Sequence, residues 1–163
     1  NLKKMKQPFR YLEIVKKLSH LKIEFNMIGK PSADFHKEIE KISRKIKNFH
    51  YHGQLNNNEV LKMISTSSLT ISTSSSEGFP NVFIESWKFG VPVISFINPD
   101  GLIDTYEVGF VCRDVDEMIN KVEFLLINSE LYQKMSANSL NLFNEKFTIE
   151  KNINSMLAYI KYK

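Results

Sequence analysis

Residues Ser74–Ser95 read SSSEGFPNVFIESWKFGVPVIS, and this stretch decides the fold. The apolar run Leu69–Ile71 ahead of it predicts a buried strand. Gly78 and Pro80 predict a turn, and helically spaced apolar residues follow the turn until they stop at Gly90. The order of these signals is strand, turn and helix.

A second buried strand is predicted directly afterwards, at Val91–Phe96. The whole region therefore reads as a β-α-β unit. In an open sheet built from such units, ligands bind beyond the carboxyl ends of the strands, and the turn at Gly78 must lie there. This turn is the first candidate for a functional site.

Strands and helices keep alternating on both sides of this unit. Helices are predicted at 8–19, 33–46, 57–65 and 114–127, strands at 23–28, 49–51 and 108–112, a turn at 98–101, and two closing helices at 129–144 and 148–161. This alternation is typical of an α/β fold with a three-layer, doubly wound parallel sheet, here with its carboxyl-terminal helices packed outside. A length of 163 residues and a hydrophobic content of 42% predict a single domain over residues 1–163.

Charge and cysteine usage narrow the possible environment. The formal net charge is +4, and lysine supplies most of the basic residues, spread along the chain. Such a surface suits polyanionic ligands or peripheral contact with an anionic membrane, but no nucleic-acid-binding motif is present.

Cys112 is the single cysteine, which excludes an internal disulfide, and we expect a cytoplasmic protein. The chain begins at Asn1 without a methionine, and we expect it to be a fragment.

The turn at Gly78 has the chemistry of an anion site. The first N–H groups of a helix lack partners inside the helix, and the helix dipole adds about half a positive charge there. Gly78 allows a ligand to approach the backbone, and Pro80 fits the first helical position, where an N–H is dispensable. These features predict a phosphate site.

Glu77 and Glu85 flank the predicted helix start. A carboxylate about 4 Å from a phosphate would cost on the order of 1–4 kcal/mol, so neither residue is expected to touch phosphate. Carboxylates accept hydrogen bonds, and hydroxyl groups are the donors beside the phosphates of a nucleotide sugar. Alternatively, the pair would serve as the acid and base of a glycoside hydrolase.

The spacing Glu77-x7-Glu85, embedded in Ser-x-x-Glu-Gly-Phe-Pro and followed by Gly90-x-Pro-Val-Ile, resembles the donor-site signature of family-four retaining glycosyltransferases. These enzymes have two Rossmann-like domains in the GT-B architecture. The similarity extends to Lys6-Gln-Pro, to Phe25–Gly29 and to the closing Phe147-Thr helix. It implies that the chain is the carboxyl-terminal half of such an enzyme, with its first strand truncated and its amino-terminal acceptor domain absent.

The resemblance implies a role for each matching residue. Glu77 would accept hydrogen bonds from the transferred sugar, Glu85 would bind the ribose hydroxyls, and Lys6 would neutralise the leaving diphosphate. Further donor-binding positions would be Gly53, Gly78, Phe79, Pro80, Asn81 and Val82, with amides at the helix start holding phosphate. The family also uses a second basic residue in the first loop, for which this sequence offers Lys3 or Lys4.

As a whole, the resemblance implies a nucleotide-sugar-binding domain, with UDP as one donor nucleotide, that transfers a hexose-type sugar without a metal or other cofactor. The acceptor would be a glycan or lipid, as in envelope polysaccharide synthesis, presented by the missing domain at the inner face of the membrane. A non-catalytic nucleotide-binding module on the same fold is an alternative.

His50 and His52 share one face of a strand, where one of them would line a nucleobase pocket. The sequence offers no third ligand beside them, so we do not expect a metal site.

Overall fold

Five short strands and seven α-helices alternate along residues 4–151, the part of the chain that the computed structural model describes. The strands are β1 Phe25–Met27, β2 Phe49–Tyr51, β3 Thr70–Ser72, β4 Val93–Ser95 and β5 Gly109–Val111. The helices are α1 Pro8–Leu18, α2 Ala33–Ser43, α3 Asn57–Ser65, α4 Asn81–Lys88, α5 Leu102–Thr105, α6 Val115–Ile127 and α7 Ser129–Lys146. None of the helices within the described range is long and apolar enough to cross a membrane.

All strand pairs are parallel, but they fall into two groups. One group pairs β1 with β2, and the other has the order β3-β4-β5. The predicted α/β class with parallel strands and helices around them is confirmed. The alternation of elements predicts a single sheet; the grouping differs because hydrogen bonding between strands depends on residues far apart in sequence.

Two hydrophobic cores lie on opposite sides of β4, because successive strand residues point to opposite faces. Ile94 belongs to the core formed with α1, α2 and α6. Val93 belongs to the core formed with α4, α5 and α7. Helices therefore cover both faces of the strand, as a doubly wound fold requires.

Gly109 allows the close pairing of β4 and β5. A Cβ atom at this position would lie 1.7 Å from the carbonyl oxygen of Val93, so no side chain fits without a shift of the backbone. The glycine therefore permits the observed register of β4 and β5, in which Gly109 pairs with Val93.

Several predicted boundaries need correction. The helix placed with Pro80 at its first position begins at Asn81 instead, and Pro80 precedes it with extended backbone angles. The turn predicted at residues 98–101 is a 3-10 turn that continues into α5, a helix that the sequence pattern did not reveal. The final helix predicted at 148–161 lies mostly outside the described residues.

Candidate functional site

The loop that follows β3 is held against the segment before α1. Thr73 donates its hydroxyl to the carbonyl oxygens of Lys6 at 2.8 Å and Gln7 at 3.1 Å. The backbone N–H and the hydroxyl of Ser75 both donate to the carbonyl oxygen of Met5, at 2.9 Å and 3.3 Å. Two segments about seventy residues apart in sequence are thus joined at the carboxyl end of a strand.

This junction brings together the two residues predicted to be catalytic. The ammonium of Lys6 lies 2.6 Å from Oε2 of Glu77, and the side chains are 41% and 17% exposed, respectively. The other carboxylate oxygen of Glu77, Oε1, is buried without a hydrogen-bond partner among the described residues. Glu77 therefore offers an acceptor beside a fixed cation, and buried acceptors are unfavourable until a donor reaches them.

Helix α4 begins beside this pair without a side-chain cap. The N–H of Phe83 bonds back to the carbonyl oxygen of Pro80 at 3.0 Å, whereas helix geometry leaves the N–H groups of Asn81 and Val82 without intrahelical partners. The space around the Cβ position of Gly78 is empty to 4 Å, so its backbone is accessible to a ligand. These amides form the anion-binding end of the helix dipole.

Aromatic packing fixes the loop and the helix together. The ring of Phe79 packs edge-on against Trp87 at 6.3 Å and also contacts Phe147 at 5.7 Å. Trp87 is fully buried, and its ring stacks on that of Phe147. The side chain of Phe79 therefore anchors the loop in the core, while its amide remains the group predicted to face the donor.

A hydrogen-bonded serine ties α4 to β3. The hydroxyl of Ser86, which is fully buried, lies 2.6 Å from the carbonyl oxygen of Val82 and 2.7 Å from the hydroxyl of Thr70. Glu85 precedes it in the second turn of the helix and is half-buried. The backbone that carries Glu85 and the helix-start amides is therefore held in place on its inner side.

A cavity of about 400 Å³ lies at the carboxyl ends of β1 and β2. It is lined by Ile28, Gly29, Lys30, Gln54, Leu55 and Val60. Gly53, a predicted donor-binding residue, lies next to it in the left-handed conformation, and its carbonyl oxygen accepts a hydrogen bond from the N–H of Gly29 at 2.7 Å. The two loops that form the cavity are thus bonded to each other.

The histidines do not line this cavity. His50 bonds Glu24 at 2.6 Å and His52 bonds the side chain of Asn26 at 2.7 Å. Burial, followed by the nearby His50, lowers the pKa of His52 below its usual value. Within residues 4–151, no group of three or more histidine, cysteine or acidic side chains could hold a metal ion.

A larger open groove, of about 570 Å³, runs along α6. It is lined by charged residues including Arg113, Asp114 and Lys121. None of the residues that the sequence predicts for the site contributes to it. Of the two candidates for the second basic residue, Lys3 lies outside the described residues, and Lys4 begins the 3-10 turn Lys4–Lys6. Sequence reasoning missed the contacts of Thr73 and Ser75 with the segment before α1 and that of Ser86 with Thr70, because a hydroxyl that bonds a separate segment leaves no local pattern.

Comparison with known proteins identifies the family to which this chain belongs. The family described as glycosyl transferases group 1 matches residues 1–141, and the chain therefore belongs to this family. An uncharacterized glycosyltransferase of Haemophilus influenzae is 37% identical over 99 residues, which are 58% of this chain and 28% of that protein. The match thus covers less than a third of the length of this relative.

Solved structures agree on the fold. The carboxyl-terminal domain of the glycosyl transferase group 1 protein LpcC from Francisella tularensis superposes with a TM-score of 0.78 at 20% identity, over 91% of this chain and 83% of that domain. HepE from Anabaena, solved in complex with UDP, superposes with a TM-score of 0.79 at 16% identity, over 99% of this chain and 46% of HepE. The chain accordingly has the Rossmann-like fold of one GT-B domain.

Proposed function

We propose that this chain is the donor-binding domain of a family-four retaining glycosyltransferase and that it binds a nucleotide-diphosphate sugar. The observation that carries the proposal is the pairing of Lys6 with Glu77 beside the uncapped start of α4. A cation, free helix-start amides and a carboxylate acceptor are the groups that a sugar joined to a diphosphate requires.

Each group has a separate task in this proposal. The amides of Asn81 and Val82 bind phosphate, and Gly78 leaves room for the ligand to approach. Lys6 turns from Glu77 to the diphosphate and stabilises the negative charge that develops when the sugar leaves. The carboxylate of Glu77, including its unpartnered Oε1, then accepts hydrogen bonds from the hydroxyls of the sugar.

The nucleoside occupies the cavity next to Gly53 in this proposal. Its lining combines apolar side chains, which suit a planar base, with the polar side chains of Lys30 and Gln54. Glu85 takes the ribose hydroxyls from the second turn of α4. The complex of HepE with UDP supports UDP as the first nucleotide to test.

The transfer reaction requires more than this domain. A hexose-type sugar would pass to a glycan or lipid acceptor held by another domain, without a metal ion, and the basic surface would suit the inner face of a membrane. We therefore expect the chain alone to bind donor and to turn over little. Release of sugar from an artificial glycoside would instead support the glycoside hydrolase alternative, and activity of the complete protein would exclude a non-catalytic module.

Titration of the chain with UDP tests the proposal. We expect a dissociation constant of roughly 10 µM to 1 mM, which is the range of many enzyme–substrate interactions. Lys6→Met should weaken binding by about 10- to 100-fold, because it removes a charge-assisted contact, whereas Lys45→Met on the exposed surface should leave it unchanged. An absence of binding by the wild-type chain at several millimolar UDP would refute the proposal.

The role of Glu85 has a sharper test in the ligand. We expect wild-type chain to bind UDP about tenfold more tightly than 2′-deoxy-UDP, since a hydrogen bond to a charged group is lost. Glu85→Gln should bind both ligands with similar affinity, and the exposed Glu145→Gln should behave as wild type. Equal discrimination by wild type and Glu85→Gln would show that Glu85 does not bind the ribose.

A further inference from the structure

Three consecutive carbonyl groups before α1 are held from one side by the loop after β3. Thr73 is 6% exposed, and its hydroxyl bonds the carbonyl oxygens of Lys6 and Gln7. Ser75 bonds the preceding carbonyl oxygen, that of Met5, through its N–H and its hydroxyl. We call these four hydrogen bonds the Thr73 clamp.

The segment that the clamp holds is a single 3-10 turn, Lys4–Lys6, followed by one strained residue. Gln7 has a φ of 44°, a left-handed conformation that is unfavourable for a residue with a Cβ atom, and its side chain does not cap α1. The side-chain Oε1 of Gln7 is also buried without a partner among the described residues. The strained junction between this turn and α1 therefore depends on contacts from outside the segment, and the clamp supplies such contacts.

Lys6 lies in the middle of this segment. Its side chain is long and flexible. The ammonium therefore reaches the carboxylate of Glu77 and the start of α4 only when the backbone of Lys6 is suitably placed. The hydroxyl of Thr73 bonds the carbonyl oxygen of Lys6 itself. With this carbonyl held, the ammonium lies 2.6 Å from the carboxylate of Glu77.

We propose that Thr73, assisted by Ser75, is a positioning residue for donor binding: it holds the backbone of Lys6 so that the ammonium meets the diphosphate. This inference rests on the proposed function, since it assigns a target to Lys6. The clamp acts on one part of the ligand only, because the nucleoside would bind in the separate cavity between Gly29 and Gln54.

The test compares two ligands on the 163-residue chain, UDP and uridine, the latter without phosphates. Thr73→Val keeps the shape but removes the hydroxyl, and we expect it to weaken UDP binding by about three- to tenfold while uridine binding stays within about twofold. Thr73→Ser keeps the hydroxyl and should retain wild-type affinity. In a Lys6→Met background, Thr73→Val should cause no further loss.

Other outcomes would overturn the inference. An equal loss of UDP and uridine binding, or the same loss in the Lys6→Met background, would show that Thr73 only supports the fold. If the wild-type chain binds uridine and UDP equally and Lys6→Met changes neither, the proposed function fails instead.

Hydrogen–deuterium exchange without ligand gives an independent measurement. Thr73→Val should increase exchange in residues 4–7 and leave α4 unchanged, and Ser75→Ala, at an exposed position, should cause a smaller increase. Unchanged exchange in residues 4–7 of both variants would contradict the clamp even if no nucleotide binds.

Discussion

Cys112 shows how burial controls the chemistry of a single residue. Its side chain is 3% exposed directly after β5, and its N–H donates to the carbonyl oxygen of Ser95 at 2.8 Å. Burial, followed by the negative charges of Glu117 and Asp114, raises the pKa of the thiol from 9.0 to about 12, although Lys121 opposes this shift. The thiol therefore stays protonated at neutral pH, and protonated thiols are poor nucleophiles.

This pKa makes the stability of the chain sensitive to alkaline pH. The unfolded thiol ionises above pH 9, whereas the folded thiol keeps its proton up to about pH 12, so stability is lost as the pH rises between these values. We expect the free energy of unfolding of wild type, relative to Cys112→Ala, to fall by about 1–2 kcal/mol between pH 8 and 10.5. Urea denaturation of both proteins measures the difference, and a constant difference would contradict the shift.

At the scale of elements, α3 shows how local sequence fixes a helix boundary. Asn56 accepts a hydrogen bond from the N–H of Glu59 at 3.1 Å, and the carboxylate of Glu59 accepts one from the N–H of Asn56 at 2.9 Å. All atoms involved lie within four consecutive residues. The sequence therefore predicts the start of this helix correctly, whereas it predicts the start of α4, where Pro80 provides no side-chain cap, one residue too early.

The cap of α3 should contribute measurably to stability. We expect Asn56→Ala to lower the free energy of unfolding by about 1 kcal/mol, because an N–H at the helix start loses its acceptor. Asn57→Ala provides the control, since Asn57 is exposed and follows the cap by one residue. Thermal denaturation followed by circular dichroism measures both, and equal losses in the two variants would mean that the cap contributes nothing.

At the scale of the whole molecule, β4 joins the two hydrophobic cores. Val93 and Ile94 are adjacent and fully buried, yet each packs in a different core. Damage to either core therefore removes contacts of the same strand. Cores that share a strand are expected to unfold together.

One substitution in each core tests this cooperativity. Leu12 lies in the core with α1 and Leu142 in the core with α4, and both are almost fully buried. We expect Leu12→Ala and Leu142→Ala each to lower stability by about 2–5 kcal/mol. The fluorescence of Trp87, the single tryptophan, and the circular dichroism of the helices should shift together in both variants.

A separation of the two signals would contradict the shared core. In particular, Leu12→Ala would then lower the midpoint seen by circular dichroism but leave the fluorescence midpoint of Trp87 unchanged. Ile127→Ala, at the exposed end of α6, serves as the control and should change neither midpoint by much.

The sequence by itself determined the alternation of strands and helices and the α/β class, since both depend on patterns within short stretches of the chain; the roles of the candidate site residues stay predictions. Only the tertiary structure decided that the strands pair in two groups and that Lys6 meets Glu77. It also decided that Thr73 holds the segment of Lys6. Contacts across about seventy residues arise from the packing of the whole chain, and a hydroxyl group that makes such a contact looks, in the sequence, like any other.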